Sequence, residues 1–248
     1  NRVYLSGISM GGSGSLGIGM RRGDIFAAVN VAVPAGIEHI EHRVFGEEVP
    51  DPPILVNFSA PNDNWSKDQE KLIAYFKDKK FPLVFGWGPH GHQSSVAGYH
   101  PAAQLFPWRS IRKNEAYPVF SNASTDKNYP GFKNATGGDE SGQIGALFRW
   151  KTITDTPERF EIDLRLVKRA ELKPVMSEGV DLPITAHTAV SFRRLQSFKT
   201  EAGQSYQWSL SREGKTLQSG AAKTNEAGLL TIEKLQLSDQ SARLKVQR

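Results

Sequence analysis

The chain contains no cysteine. That excludes disulfides, thiol nucleophiles and Cys-ligated zinc, although it does not fix the compartment. Also missing is any run approaching the ~20 apolar residues that a membrane-spanning helix needs. No membrane span is therefore expected. No signal or transit peptide is visible, which carries little weight for a chain that reads as starting mid-fold. An excess of one charge sign is nearly absent: 31 Lys+Arg face 26 Asp+Glu, for a net +5. The basic surplus sits in the tail, where residues 189–248 hold 10 basic and 5 acidic side chains, leaving 21 of each sign before them. Spread over strand-like segments, such a surplus reads as solvated faces, and no nucleic-acid partner is expected. A length of 248 residues with 38% hydrophobic content suits one large or two ordinary soluble domains.

What is present is organised around residues 3–12, VYLSGISMGG. Val3, Tyr4 and Leu5 form an apolar run fit for a buried strand. Gly7-Ile8-Ser9-Met10-Gly11 then matches G-x-S-x-G and leads into a helix of small residues. The pattern describes a sharp strand-to-helix corner that exposes the serine hydroxyl. Glycines two before and two after the serine are expected to prevent collision where strand and helix nearly touch. The Met10 N–H, at a helix N-terminus, is placed to stabilise an oxyanion.

This region resembles the nucleophile elbow of the α/β-hydrolase superfamily. The run GISMGGSGSLG is most similar to its esterase and prolyl-oligopeptidase-like branches. The resemblance implies an α/β fold, a Ser-His-Asp triad with Ser9 as nucleophile, and no cofactor.

Further buried strands are expected at 26–33 (FAAVNVAV), 54–58 (ILVNF) and 81–87 (FPLVFGW). Between the first two, residues 34–53 are irregular and read as a small lid. The histidines there, His39 and His42, lack the spacing that places two ligands on one helix face, so a solvated turn is the better reading. Ser66 and Gln69 match a capping box opening a helix that runs to about Lys80. Strands alternating with crossovers imply a parallel sheet whose carboxyl ends gather the catalytic loops.

Asp63 lies five residues past Phe58, where the superfamily carries its acid. Asp51 and Asp68 are worse placed. Two histidines, His90 and His92, follow the fourth strand. Similar esterases put a glycine before the catalytic histidine, which favours Gly91-His92 over Pro89-His90. His90 and Trp65 are candidates to line the substrate cleft. Only eight residues precede Ser9, whereas the superfamily places several strands and a second oxyanion donor upstream. The chain is therefore read as the C-terminal portion of a larger enzyme, with little activity alone.

Residues 1–115 are assigned to that catalytic part and 116–143 to a polar connector. From 144 onward, ALFRW, RFEIDLRLV, AVSFRRL, YQWSLS, GLLTIEKL and ARLKVQ alternate apolar and polar residues between turns. Residues 144–248 are expected to form a C-terminal all-β immunoglobulin- or fibronectin-III-like sandwich. Trp150 and Trp208 are expected to pack within it.

The function expected is cleavage of carboxylic esters through an acyl-enzyme. An appended sandwich would suit a secreted or periplasmic enzyme acting on a polysaccharide-linked or other polymeric ester. The alternatives are a prolyl-oligopeptidase-type serine peptidase, and a non-catalytic binding protein that retains a relic triad.

Overall fold

In the computed structural model, residues 1–45, 51–89, 91–93, 100–132, 141–173 and 182–248 are described. The chain divides into two units: Asn1–Lys113 with Asp126–Ala146, and Asn114–Thr125 with Leu147–Arg248. Residues 116–143, read as a connector, thus contribute to both.

In the first unit, β1 (Tyr4–Ile8) leads into α1 (Met10–Gly19) and β2 (Ala28–Ala32). A 3₁₀ turn (Ile37–His39) and α2 (Glu41–Val44) precede β3 (Ile54–Ser59). Then come α3 (Gln69–Asp78), β4 (Leu83–Trp87) and α4 (Pro101–Gln104). Strands β1 to β4 pair side by side in parallel. Their register aligns Ile8, Ala32, Phe58 and Gly86 in one row across the sheet. The loops after β1, β3 and β4 therefore leave from a common edge.

Leu16 of α1 and Met20, which caps its C-terminus, pack with Val29, Val31 and Leu55 of the sheet and with Leu72 and Phe76 of α3. Each of these side chains is nearly or completely out of water, worth roughly 1.5–3 kcal/mol for a large aliphatic residue. A Cβ on Gly19 would lie 2.5 Å from Val29 Cγ2, so glycine permits that close approach. Gly14, by contrast, has open space around it.

The second unit begins with β5 (Tyr117–Ser121), whereas β6 (Gly142–Ile144) belongs to the first unit and pairs antiparallel with β4. The second unit continues with β7 (Phe148–Asp155), β8 (Arg159–Leu166), α5 (Arg169–Leu172) and β9 (Thr185–Arg193). Strands β10 (Ser205–Arg212), β11 (Lys215–Lys223), β12 (Thr231–Ser238) and β13 (Ala242–Gln247) complete it. They form two antiparallel sheets, ordered β11-β10-β13-β8-β7 and β12-β9-β5. Period-2 patterning accounts for the burial: Phe160, Ile162, Leu164 and Leu166 of β8 are all buried, with more accessible residues between them.

These findings overturn the expected fold class. An α/β architecture, with a partial α/β-hydrolase sheet plus a C-terminal sandwich, does not fit a chain with 39% strand, 17% helix and three sheets whose strand pairings are, taken together, largely antiparallel. The reason lies in how little helix accompanies the strands. Among the described residues α2, α4 and α5 are single turns of four residues, and only α1 and α3 reach ten. The first sheet also closes on an antiparallel strand, β6, from a stretch read as loop. Strand β11 escaped the sequence reading because its pattern, KTLQSGAAK, is almost wholly exposed or half-buried and carries one large apolar residue.

The capping box fails as well. Asp68 caps α3 in a left-handed conformation (φ 63°) with no side-chain cap, and Gln69 is buried, accepting a 2.8 Å hydrogen bond from Asn57 Nδ2. Among the described residues no helix is long and apolar enough to cross a membrane.

Helix α4 is capped by His100, whose Nδ1 accepts the Ala102 N–H at 3.3 Å. Burial, aided by the Lys127 charge, lowers the His100 pKa from 6.5 to about 4. The unfolded chain therefore binds a proton that the folded chain refuses in that window. Stability should be complete above pH 6.5 and fall as pH drops toward 4, by an amount on the order of 2–3 kcal/mol. His100→Asn keeps a good cap without the titration. Urea unfolding at neutral pH and at pH 4.5 should show a smaller loss for the variant than for the native chain.

Candidate functional site

Ser9 sits between the last residue of β1 and the first of α1, with φ 56° and ψ −125°. A non-glycine residue in that region carries strain of roughly 1–3 kcal/mol. Three backbone hydrogen bonds hold it: Ser9 N–H donates to Ala32 O (3.0 Å), and Ser9 O accepts the N–H groups of Ser13 and Ala35 (each 3.1 Å). Val33, immediately after β2, is likewise at positive φ (39°) and fully buried, so β1 and β2 each end on a strained residue.

Gly7 is required by contact: a Cβ there would lie 2.0 Å from Gly11 O and 2.7 Å from Ser15 Oγ. Gly11 is different. It has open space around it, so the expectation that both flanking glycines relieve collision holds for the first alone. Met10 opens α1, so its N–H has no acceptor within the helix. Its side chain is 81% exposed.

Asp63 lies in the loop between β3 and α3 and is 1% exposed. A buried carboxylate is tolerated only when its oxygens are satisfied. Here Oδ1 accepts the Trp65 N–H (2.9 Å), while Oδ2 accepts the Ser66 hydroxyl (2.5 Å) and faces His92 Nδ1 at 2.8 Å. A carboxylate at that nitrogen selects the Nδ1–H tautomer and leaves Nε2 as an acceptor. His92 Nε2 stands 2.6 Å from Ser9 Oγ. Ser9, His92 and Asp63 thus form one continuous hydrogen-bonded line, assembled from the loops after β1, β4 and β3.

Trp65 is 63% exposed, its ring centroid 6.4 Å from that of His92. Its carbonyl accepts the Gly36 N–H (3.3 Å), which fixes its backbone against the segment after β2. His90 lies outside the described residues. His39 and His42 do not join the line, and no group of His, Asp and Glu among the described residues is placed to hold a metal ion. Trp87 is buried, whereas Trp150 and Trp208 are half-buried.

Two contributors escaped the sequence reading. Ser66 supports the acid rather than capping α3, and the D-x-x-S spacing was the available signal: Ser66 N–H also donates to Asp63 O (3.3 Å). Asn62 bonds to the histidine loop, through Nδ2 to Pro89 O (2.9 Å) and Oδ1 to Gly91 N–H (3.1 Å). Nothing in its local sequence announces a partner 27 residues away.

No family model, curated protein or solved structure matches the chain.

The corner at Ser9 generates a sharp expectation. Gly7→Ala forces a Cβ into backbone, so it should destabilise the first unit by about 1–3 kcal/mol or displace the turn. Gly11→Ala, with open space, should remain near the native value. Paired urea melts of the two variants check this.

Proposed function

We propose that the chain is a serine hydrolase that cleaves carboxylic esters by two-step acyl transfer. The observation supporting this is the unbroken line from Asp63 through His92 to Ser9, at 2.8 and 2.6 Å. In this reading His92 Nε2 takes the Ser9 proton as Oγ attacks the ester carbonyl. The Met10 N–H donates to the developing oxyanion. The imidazolium then protonates the leaving alcohol, and an acyl-Ser9 ester remains. Water, deprotonated by His92, releases the acid and restores Ser9.

Asp63 holds the tautomer and stabilises the imidazolium without being protonated itself. Its burial strengthens that attraction, because charge interacts more strongly out of water. The exposed Trp65 indole beside His92 supports a substrate carrying a ring or a flat apolar group, in keeping with a sugar- or polymer-linked ester.

A fluorophosphonate probe tests the reading on the chain as it stands. Labelling is a single covalent event that needs no turnover, so it should occur even where the chain alone turns over little ester, vanish in Ser9→Ala, and slow by up to about 10⁶-fold in His92→Ala. Labelling that persists without Ser9, or does not occur at all, would refute it.

A further inference from the structure

We infer that Asn62 is a positioning residue for His92, a clamp that joins the acid loop to the histidine loop. The inference rests on the triad reading above. Three ties hold these loops together in a ladder. At the base, Gly88 N–H donates to Ser59 O at 3.3 Å. Next, Asn62 spans the histidine loop, donating from Nδ2 to Pro89 O and accepting the Gly91 N–H at Oδ1. Outermost is the bond from His92 Nδ1 to Asp63 Oδ2. One side-chain amide therefore offers the donor–acceptor pair that a neighbouring strand would otherwise present to that backbone.

The middle tie matters because of what surrounds Gly91. Gly91 is left-handed (φ 60°), and a Cβ placed on it would meet nothing within 4 Å. Glycine is the residue that rotates most freely, and no described residue is packed where a side chain on Gly91 would stand. The Asn62 Oδ1 bond to the Gly91 N–H holds the backbone one residue before His92. A 2.9 Å N–H of Gln93 on Gly91 O turns the chain back on itself on the other side. Without the amide, the peptide ahead of His92 loses its bond to the acid loop, and the freedom lost on meeting Ser9 must be taken from the catalytic step. Aspartate cannot substitute. It keeps an acceptor for Gly91 but sets a carboxylate against the Pro89 carbonyl, where a donor is needed.

The test uses the 248-residue chain labelled with ¹⁵N-histidine. The readout is the His92 Nδ1–H resonance, protected by its bond to Asp63, together with the rate at which a fluorophosphonate labels Ser9. In Asn62→Ala, with the fold confirmed by near-UV circular dichroism, the protected resonance should be lost to exchange. Labelling should slow by up to about 10²-fold, the scale expected for a misplacement near 1 Å. The near-isosteric Asn62→Asp should behave likewise and serves if the alanine variant does not fold. A protected resonance unchanged in either folded variant overturns the clamp, whatever Ser9 does. A resonance lost in the variants of a chain that the probe never labels leaves the clamp standing and removes the hydrolase reading instead.

Discussion

The arrangement depends on one buried carboxylate. Asp63 is removed from water and balanced by three donors, the Trp65 amide, the Ser66 hydroxyl and the His92 ring. Removing a partner from such a group leaves a buried charge exposed to its own desolvation cost, several kcal/mol in the worst case. The acid loop is therefore constrained to one conformation, and through His92 that conformation is transmitted to the loop after β4. The two loops meet at Ser9 because the parallel strands carry them to one edge in register.

Ser9 is held by a different device. Its backbone strain is offset by hydrogen bonds to Ala32 at the end of β2, Ser13 in α1 and Ala35 in the segment after β2. Strain of that kind persists only where the surroundings over-determine it, and it concentrates at sites of function. The Gly7 contact explains why the corner is so tight: strand and helix approach until a single Cβ no longer fits. A rigid corner on one side and a satisfied carboxylate on the other leave the imidazole between them little room to be elsewhere.

Local geometry was legible in the sequence where a residue type has one physical use. G-x-S-x-G after an apolar run marked the corner, and an Asp and a Gly-His pair past later apolar runs marked the other two loops. The strands with clean alternation, such as β8, were equally plain. Global class was not legible. Short apolar runs joined by crossovers look alike whether the crossover is a long helix or a single turn, and β6 had no pattern of its own to announce an antiparallel edge. Ser66 was misread because Ser-x-x-Gln satisfies two rules at once. Burial decided between them, drawing Ser66 to Asp63 and Gln69 to Asn57. Asn62 was invisible because its partners are fixed by the fold.

The account stands on the claim that this line of groups makes Ser9 a nucleophile toward carbonyl carbon. The most direct measurement is the mass and peptide map of the chain after brief exposure to p-nitrophenyl acetate and quenching in acid. The account predicts a single acetyl group on the peptide containing Ser9, absent when His92 is replaced. Acetyl groups scattered over lysines, with Ser9 unmodified, would contradict it.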